Sequence, residues 1–229
     1  QLNIFIMKKV ILSISAMLVA SISFAQANVS AVNQIGIANA AIITQTGLAN
    51  DSDVLQLGFA NLAVVDQDGR HNEADINQGG ALNYAKIDQK GRRNDAYIGQ
   101  LGVGNAAFIN QDGRRNDAVI GQAGFFNVAT TTQIGRDNSA TNFQFGVANS
   151  SNTLQIGEGN NALGLQVGVG NSANVYQLGE DNMAVTTQFG TDNTSYINQF
   201  GTSNMAWTIQ TGSNHLSTVN QWGVGNMSL

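Results

Sequence analysis

Glutamine returns every eleventh residue without a gap: Gln34, Gln45, Gln56, Gln67, Gln78, Gln89, Gln100, Gln111, Gln122, Gln133, Gln144, Gln155, Gln166, Gln177, Gln188, Gln199, Gln210 and Gln221. No other glutamine follows Gln26. A chain this periodic is a stack of one small unit, which buries its surface only against copies of itself. Three further columns keep the period. Glycine stands two residues after each glutamine (Gly36, Gly47, Gly58, Gly69, Gly80, Gly91 and on to Gly223). Asparagine stands five after it (Asn39, Asn50, Asn61, Asn72, Asn83, Asn94 and on to Asn226), broken only by His215, and alanine or serine stands seven after it. Asn28, Ser30 and Val32 extend the columns backwards, so the pattern predicts one repeat domain over residues 26–229 with no linker.

An eleven-residue period also suits a right-handed helical supercoil. Residue type rejects that reading, because each period would hold a helix glycine at a cost of about 1 kcal/mol and would lack an apolar stripe. Read as strand, Asn39, Ala41, Ile43, Gln45 and Gly47 are successive steps of two on one face, followed by a step of three to Asn50. That odd step is a corner. Glycine and asparagine tolerate left-handed backbone angles, so both are expected to supply the tight arc.

The variable residues set the size of one coil. Arg70, Arg92, Arg114 and Arg136 are spaced by 22, as are Asp51, Glu73, Asp95 and Asp117, and the pairs Asp53 and Asp75, Asp66 and Asp88, and Glu158 and Glu180. In alternate units the arginine position is apolar, as at Ile37, Phe59, Val103, Phe125, Val147 and Val169. One rung is therefore strand, arc, strand, arc. About nine rungs at the ~4.8 Å strand spacing predict an all-β solenoid with two parallel sheets facing each other across a thin, amyloid-like core.

Stacking places glutamine over glutamine and asparagine over asparagine, so each amide is expected to donate to its copy one rung away. Unpartnered, a buried amide costs about 1 to 3 kcal/mol, whereas paired it contributes about 0.5 to 1.5. The column Val32, Ile43, Val54, Val65, Ile76, Ile87, Ile98, Ile109 and Ile120 supplies dry contacts, then gives way to Thr131, Asn142, Thr153 and Gly164. Phe143, Leu154 and Leu165 appear one position later, on the outward face. Weaker or locally shifted packing is expected over residues 131–165.

Composition limits the chemistry. The 229 residues contain no Cys, no Pro and two His (His71 and His215), which leaves no thiolate ligand and nearly excludes a histidine metal site. Met7-Lys8-Lys9, the apolar run from Val10 to Ala20 and Ser23-Phe24-Ala25 have the form of a secretory signal peptide, so residues 1–25 are set apart from the fold, with residues 1–6 upstream of Met7. Without Lys8 and Lys9 the chain has 8 basic against 15 acidic residues, about −7 in charge, which disfavours nucleic acid as a partner. No second apolar run is long enough to cross a membrane.

The pattern Asn-x-Ala-x-x-x-Gln-x-Gly, in 22-residue pairs behind a signal peptide, resembles the curlin repeat of bacterial curli subunits, over residues 28–229. The resemblance implies an extracellular functional amyloid fibre of the biofilm matrix, non-enzymatic and without a cofactor. It also implies export through an outer-membrane channel and assembly on a nucleating subunit. Regularity of the ladder favours a major subunit over a nucleator. The chain begins in mid-pattern at Asn28 and stops at Leu229, which predicts open strand edges that template another copy of itself.

Other readings are weaker. Stacked carboxylates bind calcium in β-rolls, but the Gly-Gly-x-Gly-x-Asp motif is absent and Arg92 and Arg114 lie nearby, so a solvated charged face is favoured. His71 reads as an exposed arc residue and His215 as an adapted terminal rung. Tyr97, Phe108, Phe145, Phe189, Tyr196, Phe200, Trp207 and Trp222 point outward, available for lateral packing or adhesion. Units of equal length leave no insertion from which to shape a catalytic cleft. A monomeric solenoid that binds calcium or glycan is the alternative from another class.

Overall fold

A computed structural model describes residues 27–229; the predicted signal peptide lies outside the described residues. These form nineteen strands: β1 is Val29–Ile37, β2 Ala40–Leu48, β3 Asp51–Phe59, and so on at eleven-residue intervals to β18, Leu216–Val224, with a short β19, Met227–Ser228. The odd-numbered strands form one parallel sheet of ten and the even-numbered strands a second of nine. The protein is an all-β solenoid of about nine turns, and each residue pairs with the one 22 positions on, as Gln34 with Gln56 and Gln45 with Gln67.

Period-two alternation drives this arrangement. In β3 the inward Ser52, Val54 and Gln56 are buried while Asp51, Asp53 and Leu57 face out. From Ala41 to Ala129 the alanine and aliphatic columns of the two sheets meet in one continuous apolar cluster. A slip of one residue would expose this whole set, so burial locks the register.

Two residues at each corner take left-handed angles. One is the column glycine, as at Gly47 (φ 109°), and the other is the residue just before the column asparagine, as at Ala49 (φ 54°) or His71 (φ 57°). A Cβ on Gly47 would run into the carbonyl oxygen of Gly69 one rung on, so only glycine fits that column. The expectation for asparagine is corrected: it turns inward, and its neighbour carries the strained angle. The cause is hydrogen bonding, since the Asn61 backbone N–H and Nδ2 both donate to Asn39 Oδ1 at 3.1 Å.

The interval over residues 131–165 is also corrected in part. Strand pairing runs through it without a shift, Thr131 on Thr153 and Asn142 on Gly164. The apolar core does stop, and a second cluster resumes with Ala140, Ala162 and Val175. Between them lies a buried polar plug. Asn142 Nδ2 donates to Thr131 Oγ1 (2.9 Å) and Thr153 Oγ1 (3.1 Å), and Ser151 Oγ donates to Asn142 Oδ1 (2.9 Å). Satisfied polar groups hold the register that aliphatic packing would otherwise hold. Phe143 stands on the outer face, as its position one step along the strand dictates.

Candidate functional site

The glutamine column is buried from Gln45 to Gln221. Sixteen side-chain bonds of 2.6 to 2.9 Å join each glutamine Nε2 to the Oε1 one rung further on, beginning with Gln34 to Gln56 and ending with Gln199 to Gln221. The second Nε2 hydrogen crosses the core to the opposite sheet, as Gln56 to the Ala40 carbonyl (2.9 Å) and Gln221 to the Met205 carbonyl (2.8 Å). One amide thus links rungs along the axis and ties the two sheets together.

The asparagine column runs the other way. Asn83 Nδ2 donates back to Asn61 Oδ1 (3.1 Å) and, with its other hydrogen, forward to the Gly102 carbonyl (3.1 Å). Glutamine amides therefore donate toward the C-terminal rungs, and asparagine amides donate to the oxygen of the preceding rung. Asn50, Asn72 and Asn94 use the backbone N–H for that contact. At the His215 position the backbone N–H still reaches Asn193 Oδ1, at 3.1 Å, so the ladder contact survives the loss of the amide side chain. The sequence shows which residues stack but not these directions, which depend on side-chain rotamers inside the coil.

Every rung consequently has two unlike faces. On the described first rung, the Oε1 atoms of Gln34 and Gln45 accept no ladder bond. On the last described rung, Nε2 of Gln210 donates to Thr194 O and that of Gln221 to Met205 O, and among the described residues neither donates to a further glutamine. Acceptors on one face match donors on the other.

The long edges of the solenoid differ in kind. On the edge after the odd strands, Ile37, Phe59, Leu82, Phe125 and Phe126 are all at least half exposed. On the edge after the even strands the arginine column and the acidic column stand on either side of the arc. Arg115 donates to Asp137 at 2.7 Å, which holds the Asp137 carboxyl below its usual range, and Arg136 pairs with Glu158. Asp95 is pushed up to about 6, first by burial and then by Glu73, Asp117 and Asp75. Burial also raises Asp117, and burial with Glu73, Asp53 and Asp51 raises Asp75.

The outer faces carry rows of aromatic rings. Tyr176 and Phe200 lie 5.4 Å apart and Phe200 and Trp222 6.1 Å apart, a ladder the eleven-residue pattern alone does not show. On the odd sheet an open apolar groove of about 400 Å³ runs between Leu55, Leu57, Tyr97, Leu101, Phe143 and Phe145. Among the described residues no group of three or more His, Asp or Glu side chains is placed to hold a metal ion, and no helix is long and apolar enough to cross a membrane.

Buried amide ladders, glycine corners and unlike rung faces define a structural β-solenoid of the cross-β kind. The curlin associated repeat family matches residues 49–80, 83–113, 113–146 and 179–207, together more than half of the chain, and the chain belongs to that family. The matches leave out residues 147–178 as well as the stretches before 49 and after 207. No curated protein matches the chain.

Proposed function

We propose that the protein is a secreted structural subunit of a curli-type extracellular fibre that grows by end-to-end addition of strands. The observation that carries this reading is the polarity of the rung. Its glutamine acceptors on one face complement the glutamine donors on the other, so a second copy whose first strand displaces the short β19 from the start of β17 extends both sheets and the ladder. The gain is directional, because reversing the incoming copy sets acceptor against acceptor. The ladder glutamines Gln34 to Gln221, the asparagines that staple the arcs and the corner glycines are structural residues in this reading, and the protein is not an enzyme.

Residues 7–25 serve as the secretory signal, and the remaining chain works outside the cell in biofilm matrix and adhesion. A nucleating subunit and an outer-membrane channel are its expected partners, with this chain as the major subunit. Membership of the curlin family supports the extracellular fibre role, and the unbroken glutamine ladder favours the major subunit. The test is seeded growth. Purified chain beginning at Gln26, incubated with sonicated fibre seeds, elongates without a lag and becomes thioflavin-positive. Persistent monomer under seeding favours the monomeric calcium- or glycan-binding solenoid, with the apolar groove beside Tyr97 and Phe143 as the surface for a glycan ring.

A further inference from the structure

The charged edge carries two ladders of opposite sign that do not neutralise each other within one molecule. Arg70, Arg92 and Arg114 close three successive even strands, and Glu73, Asp95 and Asp117 open the odd strands that follow them. Each arginine is three residues from its carboxylate, on the opposite shoulder of the arc. Among the described residues none of these six forms an ion pair. At the apex between them stand His71, Arg93 and Arg115, and Arg115 is already held by Asp137. The other long edge offers no such pattern, since its arcs are uncharged until Asp192.

Symmetry then selects a partner. Two solenoids brought edge to edge and related by a two-fold axis along the fibre direction exchange left and right shoulders. The arginine ladder of each then faces the carboxylate ladder of the other, rung by rung, because both share the ~4.8 Å spacing of the sheet. A two-fold axis across the fibre direction instead sets arginine against arginine. The geometry points to lateral, parallel pairing of this chain with a second copy of itself through Arg70, Arg92 and Arg114 against Glu73, Asp95 and Asp117. Six ion pairs form per pair of chains, and they set register and orientation more than affinity. Both copies run in the same direction, as strand addition along a common axis requires. The pairing nevertheless stands apart from end-to-end growth, since it uses only arcs and no rung face.

The chain has no cysteine of its own, so single-cysteine variants report the contact. Arg92→Cys chain is mixed with Asp95→Cys chain and treated with a short bis-maleimide, with the fold of each confirmed by circular dichroism. The hetero-crosslink is expected to exceed either homo-crosslink by at least about fivefold at low ionic strength and to fall away in 1 M salt, where the screening length is about 3 Å. As a second arm, R70E/R92E/R114E and E73R/D95R/D117R each stay single in sedimentation and pair when mixed. Homo-crosslinks in excess, no crosslink at any salt, or no pairing in the mixture overturns the inference. Capture of heparin by the unmodified chain without self-pairing also overturns it and assigns the edge to an anionic polymer. The crosslink is read on dissolved chain as well as on fibres, so failure to elongate and failure to pair are separate results.

Discussion

Asn142 and Gly164 occupy the same inward column one rung apart, and Asn142 Oδ1 fills the space that a Cβ on Gly164 would need, 2.5 Å away. The two positions are coupled: glycine makes room for the amide that bridges Thr131, Thr153 and Ser151. Removing that amide with Asn142→Ala leaves three buried hydroxyls short of a partner, and equilibrium denaturation should show a loss of about 1 to 3 kcal/mol. Gly164→Ala should destabilise as well, by crowding. Unchanged midpoints in both variants would show that the plug does not hold this interval.

The two left-handed positions at each corner should respond in opposite directions. Gly91→Ala places a Cβ against the Gly113 carbonyl at a φ of 108°, and its cost should exceed the ~1 to 2 kcal/mol of a left-handed residue alone. Leu82, at φ 58° and exposed, already bears such strain. Leu82→Gly should therefore raise the unfolding midpoint or leave it unchanged, and a clear drop would contradict the strain assignment.

Within the ladder, Gln122→Leu keeps roughly the volume but removes three contacts at once. Gln100 Nε2 loses its acceptor, Gln144 Oε1 its donor and the Ala106 carbonyl its cross-core partner. Stranded amide groups at about 1 to 3 kcal/mol each make this one of the most damaging single changes to a central rung. Thermal unfolding is the measurement. A loss no larger than that of the exposed Leu101→Ala would remove the ladder as a source of stability.

Acid should strengthen the fold over a defined window. Asp95, Asp75 and Asp117 all bind protons more tightly folded than at the ordinary 3.8 of the unfolded chain, so the native state holds the extra protons. Their contribution is fully present below pH 3.8 and is lost as pH rises toward about 6, the value for Asp95. Tm should fall over that interval, and Asp95→Asn should flatten the fall. A Tm that rises over it would contradict the burial and like-charge crowding of this column.

Much of this fold is legible in the sequence because each rung repeats the same physical problem. Steps of two ending in Gly-x-x-Asn require strand and corner, and Arg70, Arg92, Arg114 and Arg136 against the apolar Ile37 and Phe59 require two strands per coil. The corner itself was only half legible. Gly47 takes the left-handed angle its type allows, but the second such angle falls on Ala49 and not on Asn50, whose N–H is held by Asn28 Oδ1. Asn142 is ambiguous in the sequence for a similar reason. An asparagine in an aliphatic column signals disrupted packing until Thr131 and Thr153, eleven residues to either side, are seen to close its hydrogen bonds.

Solid-state NMR on fibres grown from an equal mixture of ¹⁵N-labelled and ¹³C-labelled chains isolates contacts between molecules. If the amide rows pass from one chain into the next, side-chain nitrogens of Gln210 and Gln221 give cross-peaks to the side-chain carbonyl carbons of Gln34 and Gln45, and central glutamines such as Gln122 give none. Fibres lacking any glutamine contact between chains, or showing such contacts at every rung, would contradict end-to-end continuation.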